Sequence, residues 1–333
     1  MKKIWFWGQI FLALILALSS LAFIMPASFY EHDLLQSFAV HALAGYASLA
    51  LLFVLFRTWW LSISAGGAAL ALLLFLHSYV VQPTSAIIAE GHPFTVAHFN
   101  VLASNRQYDS VIRRALTSDA DLLSFQEVSP PWAKQLTRHL CDDYPYHHVV
   151  TDAWDTQGIA IFSRYPLKNV QTHYWSDLPN ITGDIDLTNG MATDTAPLDK
   201  ELTEALPNDT TVHFVASHTL SPRSESRYRR RNEQIQQIAE HLRSVEGPVL
   251  AIGDYNAVPW NPYIVAMKQE AHLYDSRRTF TPTYPSRLSD GGLPIDYVFH
   301  SDDFACLDFR AVSAEGSDHR GVVGTYRLKP PVL

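Results

Sequence analysis

The chain has 333 residues, of which 17% are charged, and its 15 glycines, 19 prolines and two cysteines exclude collagen-like, low-complexity and disulfide-dense proteins. The charge is divided unevenly: residues 1–89 carry three basic and two acidic side chains, whereas residues 90–333 carry 22 and 31. About 6% of the first part and about 22% of the second part is therefore charged. This division predicts a membrane segment followed by a soluble domain with a net charge of −9.

Three apolar runs occupy the first part of the chain, at residues 4–24, 34–56 and 61–81. Each has the roughly 20 residues that a helix needs to cross the bilayer core. We therefore expect three transmembrane helices, which form a membrane anchor over residues 1–81 and have the lipid bilayer as their partner. Two lysines before the first run leave a cleaved signal peptide as the alternative, but a signal-peptide core has only about 7–15 residues. A channel or transporter is disfavoured, because the three runs contain no carboxylate.

Charged residues between the runs predict the orientation of the anchor. Lys2 and Lys3 precede the first run, and Arg57 lies between the second run and the third. The loop between the first and second runs carries Glu31 and Asp33 and no basic residue. Basic loops stay on the cytoplasmic side. The N-terminus should therefore lie inside and, after three crossings, the soluble domain outside the cytoplasm.

Both cysteines, Cys141 and Cys306, lie in the soluble domain. Outside the cytoplasm a disulfide between them would be permitted. Two separate buried thiols fit the sequence equally well, because sequence separation does not decide between these alternatives.

The second part of the chain alternates short apolar strands with a few helices. A linker is expected at 82–93, and helices are expected at 108–118 and 224–245, both with apolar residues at helical spacing. Short runs of strand-type residues lie at 94–100, 122–126, 158–163, 212–218, 249–253, 295–300 and 321–327. This pattern predicts a mixed α/β domain with helices outside the sheets. Residues 188–209 are polar and should form an insertion in a hairpin.

Polar side chains stand at the ends of these strands, where loops carry function. Each alone is typical of a turn, a cap or a solvated strand end, but together they form an ordered set of amides, carboxylates and imidazoles. The set consists of Asn100, Gln126, Glu127, His218, Asp254, Asn256, Asp296, Asp318 and His319.

This ordered set resembles the endonuclease/exonuclease/phosphatase superfamily over about residues 94–328. The strings that carry the resemblance are HFNVL, LLSFQEV, GIAIFSRYPL, VASHTLSP, AIGDYNAVPW, PIDYVFHS and GSDHRGV. It implies a four-layer α/β/β/α sandwich, two packed mixed sheets flanked by helices, as a catalytic domain over residues 94–333. Three helices before such a domain look like a bacterial subgroup anchored in the inner membrane, which implies a multi-pass protein with a periplasmic catalytic domain.

The resemblance implies a metal-dependent phosphoester hydrolase. Glu127 matches the family's metal ligand, Asn100 would contact the metal or a phosphate oxygen, and Asp318 would support the metal site. The implied cofactor is Mg²⁺ or Mn²⁺, since hard divalent cations prefer carboxylate and carbonyl oxygen.

The same resemblance implies the catalytic roles. Asp254 would orient or deprotonate the attacking water, and Asn256 would donate a hydrogen bond to the phosphate. His319 would stabilise the phosphoryl charge, with Asp296 accepting its other ring proton. His218 would be a second phosphate contact or a general acid.

Two departures from the family pattern leave the metal count and the leaving-group acid open. Leu102 stands where many nuclease members carry a carboxylate, and the acidic partner of His218 is unassigned, with Asp155 and Glu225 as candidates by position. Arg231 matches the family's R-x-x-Q and is the candidate substrate-binding arginine within a cluster over residues 223–231.

The substrate class stays open at this stage. A nucleic acid, a phospholipid headgroup, as in a sphingomyelinase-like hydrolase, and a small phosphoester all fit the residues. The net charge of −9 weakens binding to duplex DNA, whose affinity depends on phosphate contacts. The alternative that is not an enzyme is a non-catalytic membrane-anchored interaction module. No obligate protein partner is inferred.

Overall fold

The computed structural model describes four stretches of the chain, at residues 2–80, 93–151, 157–188 and 210–329. They fall into two compact units: one combines residues 1–81 with 257–265, and the other contains the remainder. The expected linker at 82–93 lies outside the described residues except for Pro93, and the expected insertion at 188–209 lies outside them except for Thr188.

Four helices form most of the first unit: α1 (Lys2–Ile24), α2 (Tyr30–Ser37), α3 (Ala39–Leu55) and α4 (Trp59–Val80). Helix α4 packs against α1 and α3, and many large apolar side chains of these helices are exposed, as suits surface that faces lipid. By length and composition α1 and α4 could cross a membrane, and α2 with α3 adds a third span if the bent pair counts as one.

The run at 34–56 is not the single straight helix that the sequence predicts, because α2 and α3 are bent by 59° at Phe38. Helix α2 is polar on one side and buries Asp33 and Gln36. The Gln36 side chain donates to the carbonyl of Met25 at 2.9 Å, and the backbone carbonyl of Gln36 accepts from Trp260 Nε1 at 2.8 Å. Both partners belong to the first unit. The bend therefore lets α2 hydrogen-bond its buried polar groups, which a straight extension of α3 would not do.

The second unit is built on two six-stranded mixed sheets. The first has the order β11-β12-β1-β2-β4-β3 and the second β5-β6-β7-β8-β10-β9. The strands are β1 (Phe94–Asn100), β2 (Leu122–Gln126), β3 (Tyr146–Val150), β4 (Ile159–Ser163), β5 (Leu167–Trp175), β6 (Leu178–Asp186), β7 (Thr211–His218), β8 (Val249–Asp254), β9 (Leu273–Asp275), β10 (Asp296–Ser301), β11 (Phe304–Val312) and β12 (Gly321–Leu328). Each sheet has one parallel pair at its centre, β1 with β2 and β7 with β8.

Helices cover the outer faces, which confirms the predicted fold class. The helices of this part of the chain are α5 (Tyr108–Thr117), α6 (Pro130–Leu140), α7 (Glu225–Arg243) and α8 (Pro262–Glu270). Phe99 and Phe125 of the first sheet pack in one core with Ile112 of α5 and Trp132 of α6. A second core joins apolar side chains of both sheets, among them Val96, Leu122, Phe214, Ile252 and Val298.

All seven predicted strands and both predicted helices of the soluble domain are present, with ends within two residues of those expected. Strands β3, β5, β6, β9 and β11 and helices α6 and α8 were not predicted. Strands β6 and β7, which flank the expected insertion in sequence, pair antiparallel from Asn180 with Ser217 to Asp186 with Thr211.

Candidate active site

Strand direction brings the predicted polar residues to one rim of the two sheets. Asn100, Glu127, His218 and Asp254 end or follow the four central strands, which run parallel in pairs. Strands β10 and β12 run antiparallel to their neighbours, so they begin where those strands end. Asp296, the first residue of β10, therefore lies directly opposite Asp254.

Asp254 is buried at the centre of the site, with 1% of its surface exposed. Its Oδ2 accepts a hydrogen bond from Asn100 Nδ2 at 3.2 Å, and it lies 3.6 Å from His319 Nε2 and 3.7 Å from His218 Nε2. Its Oδ1 accepts from the backbone N–H of Asn256 at 2.9 Å. One carboxylate oxygen therefore faces two imidazoles and an amide.

Asp296 lies between two histidines. Its Oδ2 is 2.9 Å from His319 Nδ1, and its Oδ1 is 2.9 Å from His98 Nε2. The predicted contact between Asp296 and the ring of His319 is present, and it fixes the ring orientation with Nε2 toward Asp254. His98 was not predicted as a site residue, although it lies two residues before Asn100 and so on the same face of β1.

The two histidines near Asp254 have opposite electrostatic surroundings. Burial disfavours protonation of His319, but the carboxylates of Asp296 and Asp254 outweigh it and raise the pKa of His319 to about 10. Burial lowers the pKa of His218 to about 4, although Glu127 acts in the opposite direction. At neutral pH His319 is therefore a cation and His218 is neutral, so the two rings can play different parts.

The two aspartates also differ. Burial and then the neighbouring charge of Asp296 raise the pKa of Asp254 well above its usual range, which makes this carboxylate a better proton acceptor. Burial disfavours ionisation of Asp296 as well, but His319 and His98 hold its pKa below the usual range. Asp296 therefore stays ionised as the partner of the histidines.

The side chain of Asn100 links Glu127 to Asp254 by hydrogen bonds. The amide nitrogen of Asn100 donates to Glu127 Oε1 at 3.1 Å as well as to Asp254. The other oxygen of Glu127 accepts from the backbone N–H of Ala103 at 3.3 Å. Glu127 has a left-handed backbone, with φ of 57°, which turns its side chain out of the strand line and toward the rim.

Buried amides and a buried guanidinium hold the loop after β8. Gln126 donates to the carbonyl of Ser217 at 2.7 Å and accepts from the backbone N–H of Asp254 at 2.8 Å, so it links the two sheets. Arg231, the candidate substrate contact, is only 1% exposed, and its Nη1 donates to the carbonyl of Asn256 at 3.0 Å. The structure thus places Arg231 behind the phosphate-binding candidate Asn256, whose Nδ2 donates to the carbonyl of Thr219 at 2.9 Å.

Asp318 lines a cavity of about 380 Å³ together with Leu102, Tyr284, Ser286 and Arg287. The ring of Tyr284 lies 4.8 Å from the ring of His319, so this cavity adjoins the catalytic histidine candidate. Leu102, the departure from the family pattern, contributes an apolar wall in place of a carboxylate.

The acidic neighbour of His218 is not Glu225, which is exposed and pairs with Arg229. Asp155 lies outside the described residues. The carboxylate near His218 is that of Asp254, at 3.7 Å.

The residues of the rim fit a divalent cation. Candidate ligand atoms of Asp254, Asp296 and His319 lie within 4.8 Å of one another, a set that differs from the predicted ligands, and the cationic ring of His319 would have to lose a proton to join it. Buried Asp318 Oδ1 has no hydrogen-bond partner among the described residues. With Glu127, four carboxylates thus surround the site, and oxygen donors of this kind suit Mg²⁺ or Mn²⁺.

Comparisons with known proteins agree with this geometry. Residues 97–319 match the Endonuclease/Exonuclease/phosphatase family, whereas comparison with curated proteins gave no significant match. The chain is similar in structure to an endonuclease/exonuclease/phosphatase from Beutenbergia cavernae, at 21% identity and a TM-score of 0.54 over 71% of this chain and 72% of that one. It is also similar to D. rerio TDP2 in complex with a single-strand DNA product, at 13% identity and a TM-score of 0.54 over 71% and 99%.

Two packed mixed sheets with buried aspartates and histidines at one rim define an enzyme that hydrolyses phosphoester bonds. The solved structures, at these identities, show the fold alone. The family match covers more than half of the chain. The chain belongs to the Endonuclease/Exonuclease/phosphatase family, whose members are phosphoester hydrolases.

Proposed function

We propose that this protein is a membrane-anchored, metal-dependent phosphoester hydrolase in which Asp254 activates the attacking water. The observation that carries the proposal is the buried contact of Asp254 Oδ2 with both His319 and His218, at 3.6 and 3.7 Å. A carboxylate in this position can accept a proton from the attacking water. The cationic imidazole beside it can stabilise the negative charge of the phosphate.

Glu127, Asn100 and Asp318 are the proposed residues that hold Mg²⁺ or Mn²⁺ together with Asp254. When bound, the ion supplies positive charge that neutralises the phosphate and favours attack on phosphorus. The Asn100 amide, which donates to both Glu127 and Asp254, keeps these two carboxylates next to each other.

His319 stabilises the charge that develops on the phosphoryl oxygens. Its ring is positively charged at neutral pH, because Asp296 and Asp254 outweigh the effect of burial on its pKa. Asp296 keeps His319 Nε2 directed to the site, and His98 holds Asp296 from the other side. His98 is therefore a positioning residue that acts through Asp296.

His218 and Asn256 bind the phosphate. A neutral imidazole has one N–H donor and is a weak acid at neutral pH, so the low pKa of His218 favours a phosphate contact over general acid catalysis. Asn256 uses one amide hydrogen for Thr219 and has a second for the substrate. Arg231 supports this arrangement from behind by its bond to the carbonyl of Asn256.

The surface charge favours a small or lipid-borne phosphoester over duplex DNA. In the arginine cluster at 223–231, Arg229 pairs with Glu225 and Arg230 with Asp177, and Arg231 is buried. Arg229, Arg230 and Arg231 therefore add little to a basic face for a polyanion, which leaves Arg223 and Arg227 of the cluster for such contacts. A phospholipid headgroup is the second candidate substrate, because the apolar helices of the first unit would keep the enzyme at a lipid surface.

We expect the purified full-length chain to hydrolyse bis-nitrophenyl phosphate in the presence of Mg²⁺ or Mn²⁺, and EDTA to abolish the activity. The assay measures release of nitrophenol. A panel of DNA, RNA, phospholipids and inositol phosphates, each with an EDTA control, then identifies the substrate class. A chain that hydrolyses none of these substrates would be a non-catalytic interaction module instead.

The variant Glu127→Gln tests the proposed metal ligand in the same assay. We expect the Mg²⁺ concentration for half-maximal rate to rise at least about 10-fold, because even indirect partners of a metal contribute about 10–100-fold to affinity. Glu270→Gln, an exposed change at the end of α8, is the matched control. An unchanged Mg²⁺ dependence in Glu127→Gln would remove Glu127 from the metal site.

The proposed location is a bacterial inner membrane, with the catalytic domain on the periplasmic side. If α2 and α3 form one bent span, the chain crosses three times and the domain lies opposite the N-terminus, whereas two crossings would return it to the cytoplasm. An alkaline phosphatase reporter fused to the C-terminus of the full chain should therefore be active. A reporter that is inactive while a cytoplasmic reporter at the same position is active would place the catalytic domain in the cytoplasm and contradict the proposed location.

A further inference from the structure

Three histidines and a tryptophan gather on the second sheet and α7, apart from the active site. His173 and Trp175 lie on β5, His213 on β7 and His241 in the last turn of α7. Their rings lie close together, with centroids 5.5 Å apart for His173 and His241 and 5.3 Å apart for His213 and His241. His213 precedes His218 by five strand residues, which is about 16 Å along β7, so this cluster is separate from the rim.

Two of these imidazoles face each other with their nitrogens. His213 Nε2 lies 3.1 Å from His241 Nε2. Two nitrogen ligands at about 2.0–2.1 Å from a metal lie about 2.9 Å apart at right angles and about 3.3 Å apart in a tetrahedron. The observed separation falls between these two values, so the spacing of the two nitrogens fits one shared ion, which would take the place of the proton between them once the rings turn toward it.

Asp184 sets the tautomer of His213. Asp184 Oδ1 lies 2.9 Å from His213 Nδ1, and its other oxygen accepts from Asn169 Nδ2 at 2.8 Å. A carboxylate that accepts a hydrogen bond from Nδ1–H leaves the Nε2 lone pair directed at His241. Metal-binding histidines commonly have such a carboxylate partner on the other ring nitrogen, because it fixes the ring and raises its basicity.

The surroundings leave His241 neutral and leave space beside it. Burial, and then the neighbouring His213 and His173, lower the pKa of His241 to about 4, so at neutral pH its ring is in the form that binds metals. His241 and Glu240 line a cavity of about 610 Å³. This space lies on the His241 side of the pair and has room for water there, with Glu240 among its lining residues.

We propose that His213 and His241 form a second metal site, for Zn²⁺ or another divalent transition metal that prefers imidazole, with Asp184 as the residue that orients His213. Imidazole nitrogens select such ions over Mg²⁺, which prefers oxygen. The site would join the last turn of α7 to β7 and is independent of the metal at the catalytic rim. The competing interpretation is a hydrogen bond between the two rings with no ion.

The test uses the full-length chain in detergent, stripped of metal and then kept in excess Mg²⁺ to occupy the catalytic rim. Titration with Zn²⁺ against a chromogenic chelator should detect one bound ion per chain. His213→Ala and His241→Ala should each lose this ion, and Asp184→Asn should weaken its binding by about 10–100-fold. His139→Ala, which removes an exposed imidazole on α6, should bind as the unchanged chain does.

A second measurement needs no variant. Diethyl pyrocarbonate modifies accessible imidazoles, and mass spectrometry locates the modified residues. Zn²⁺ should protect both His213 and His241 from modification while leaving His139 reactive. Equal Zn²⁺ binding by the unchanged chain and the His213→Ala/His241→Ala double variant, or equal modification of both histidines with and without Zn²⁺, would overturn the proposal.

Discussion

Replacing Asp254 with asparagine is expected to lower the rate of phosphoester hydrolysis by about 10²–10⁴-fold, the usual contribution of a general base. Asparagine keeps the shape of the side chain but has no basic oxygen to accept the proton of water. The measurement is nitrophenol release from bis-nitrophenyl phosphate by the full-length chain with Mg²⁺. Asp308→Asn, which removes an exposed carboxylate paired with Arg310, should keep the original rate.

The same variant separates catalysis from folding. Asp254 is buried next to the charge of Asp296, and this proximity together with burial raises its pKa. A neutral side chain at this position removes one of two neighbouring like charges from a buried site, and with it their repulsion, so thermal unfolding should not occur at a lower temperature. A lost rate with an unchanged or higher melting temperature supports the role of Asp254 as a base, whereas an unchanged rate would contradict it.

The central strands could be predicted from the sequence because both of their faces are covered. Strands β2, β4 and β8 are fully buried, so each is a short continuous apolar run. The edge strands β5 and β11 are largely half-buried or exposed and carry polar residues. No apolar run marks such strands, and only their pairing with β6 and β12 defines them.

The site could be predicted where a polar residue ends a strand, and not where it lies within one. Asn100, Asp254 and His319 stand next to apolar runs, and the strand directions bring them together. His98 lies inside β1, and its partner Asp296 is 198 residues further along the chain on the other sheet. Local sequence therefore indicates that His98 faces the same side as Asn100, but it does not indicate which carboxylate it meets.

Arg231 shows that a sequence motif can identify a residue near the site without giving its role. A motif identifies it as a residue near the site, and the structure indeed brings its guanidinium to the carbonyl of Asn256. Its 1% exposure depends on how α7 packs against the second sheet, which the motif does not contain. The distinction between touching a substrate and supporting the residue that does so thus needed the three-dimensional structure.

Replacing His319 with glutamine is expected to lower the hydrolysis rate by about 10²–10³-fold, because the positive charge that meets the developing charge on the phosphate is lost. Glutamine can still donate a hydrogen bond from its amide, but it has no positive charge. His319 owes its charge to Asp296 and Asp254, whose effect exceeds that of burial on its pKa. The control is His139→Gln, an exposed change on α6.

The variant His98→Gln distinguishes the two histidines that contact Asp296. His98 acts on His319 only through that carboxylate, so its loss should lower the rate less than the loss of His319. In the double variant the two effects should not add, because residues in one hydrogen-bond network are coupled. Additive effects would mean that His98 acts independently of His319. The hydrogen bonds from His98 through Asp296 to His319 would then not be what positions the ring of His319.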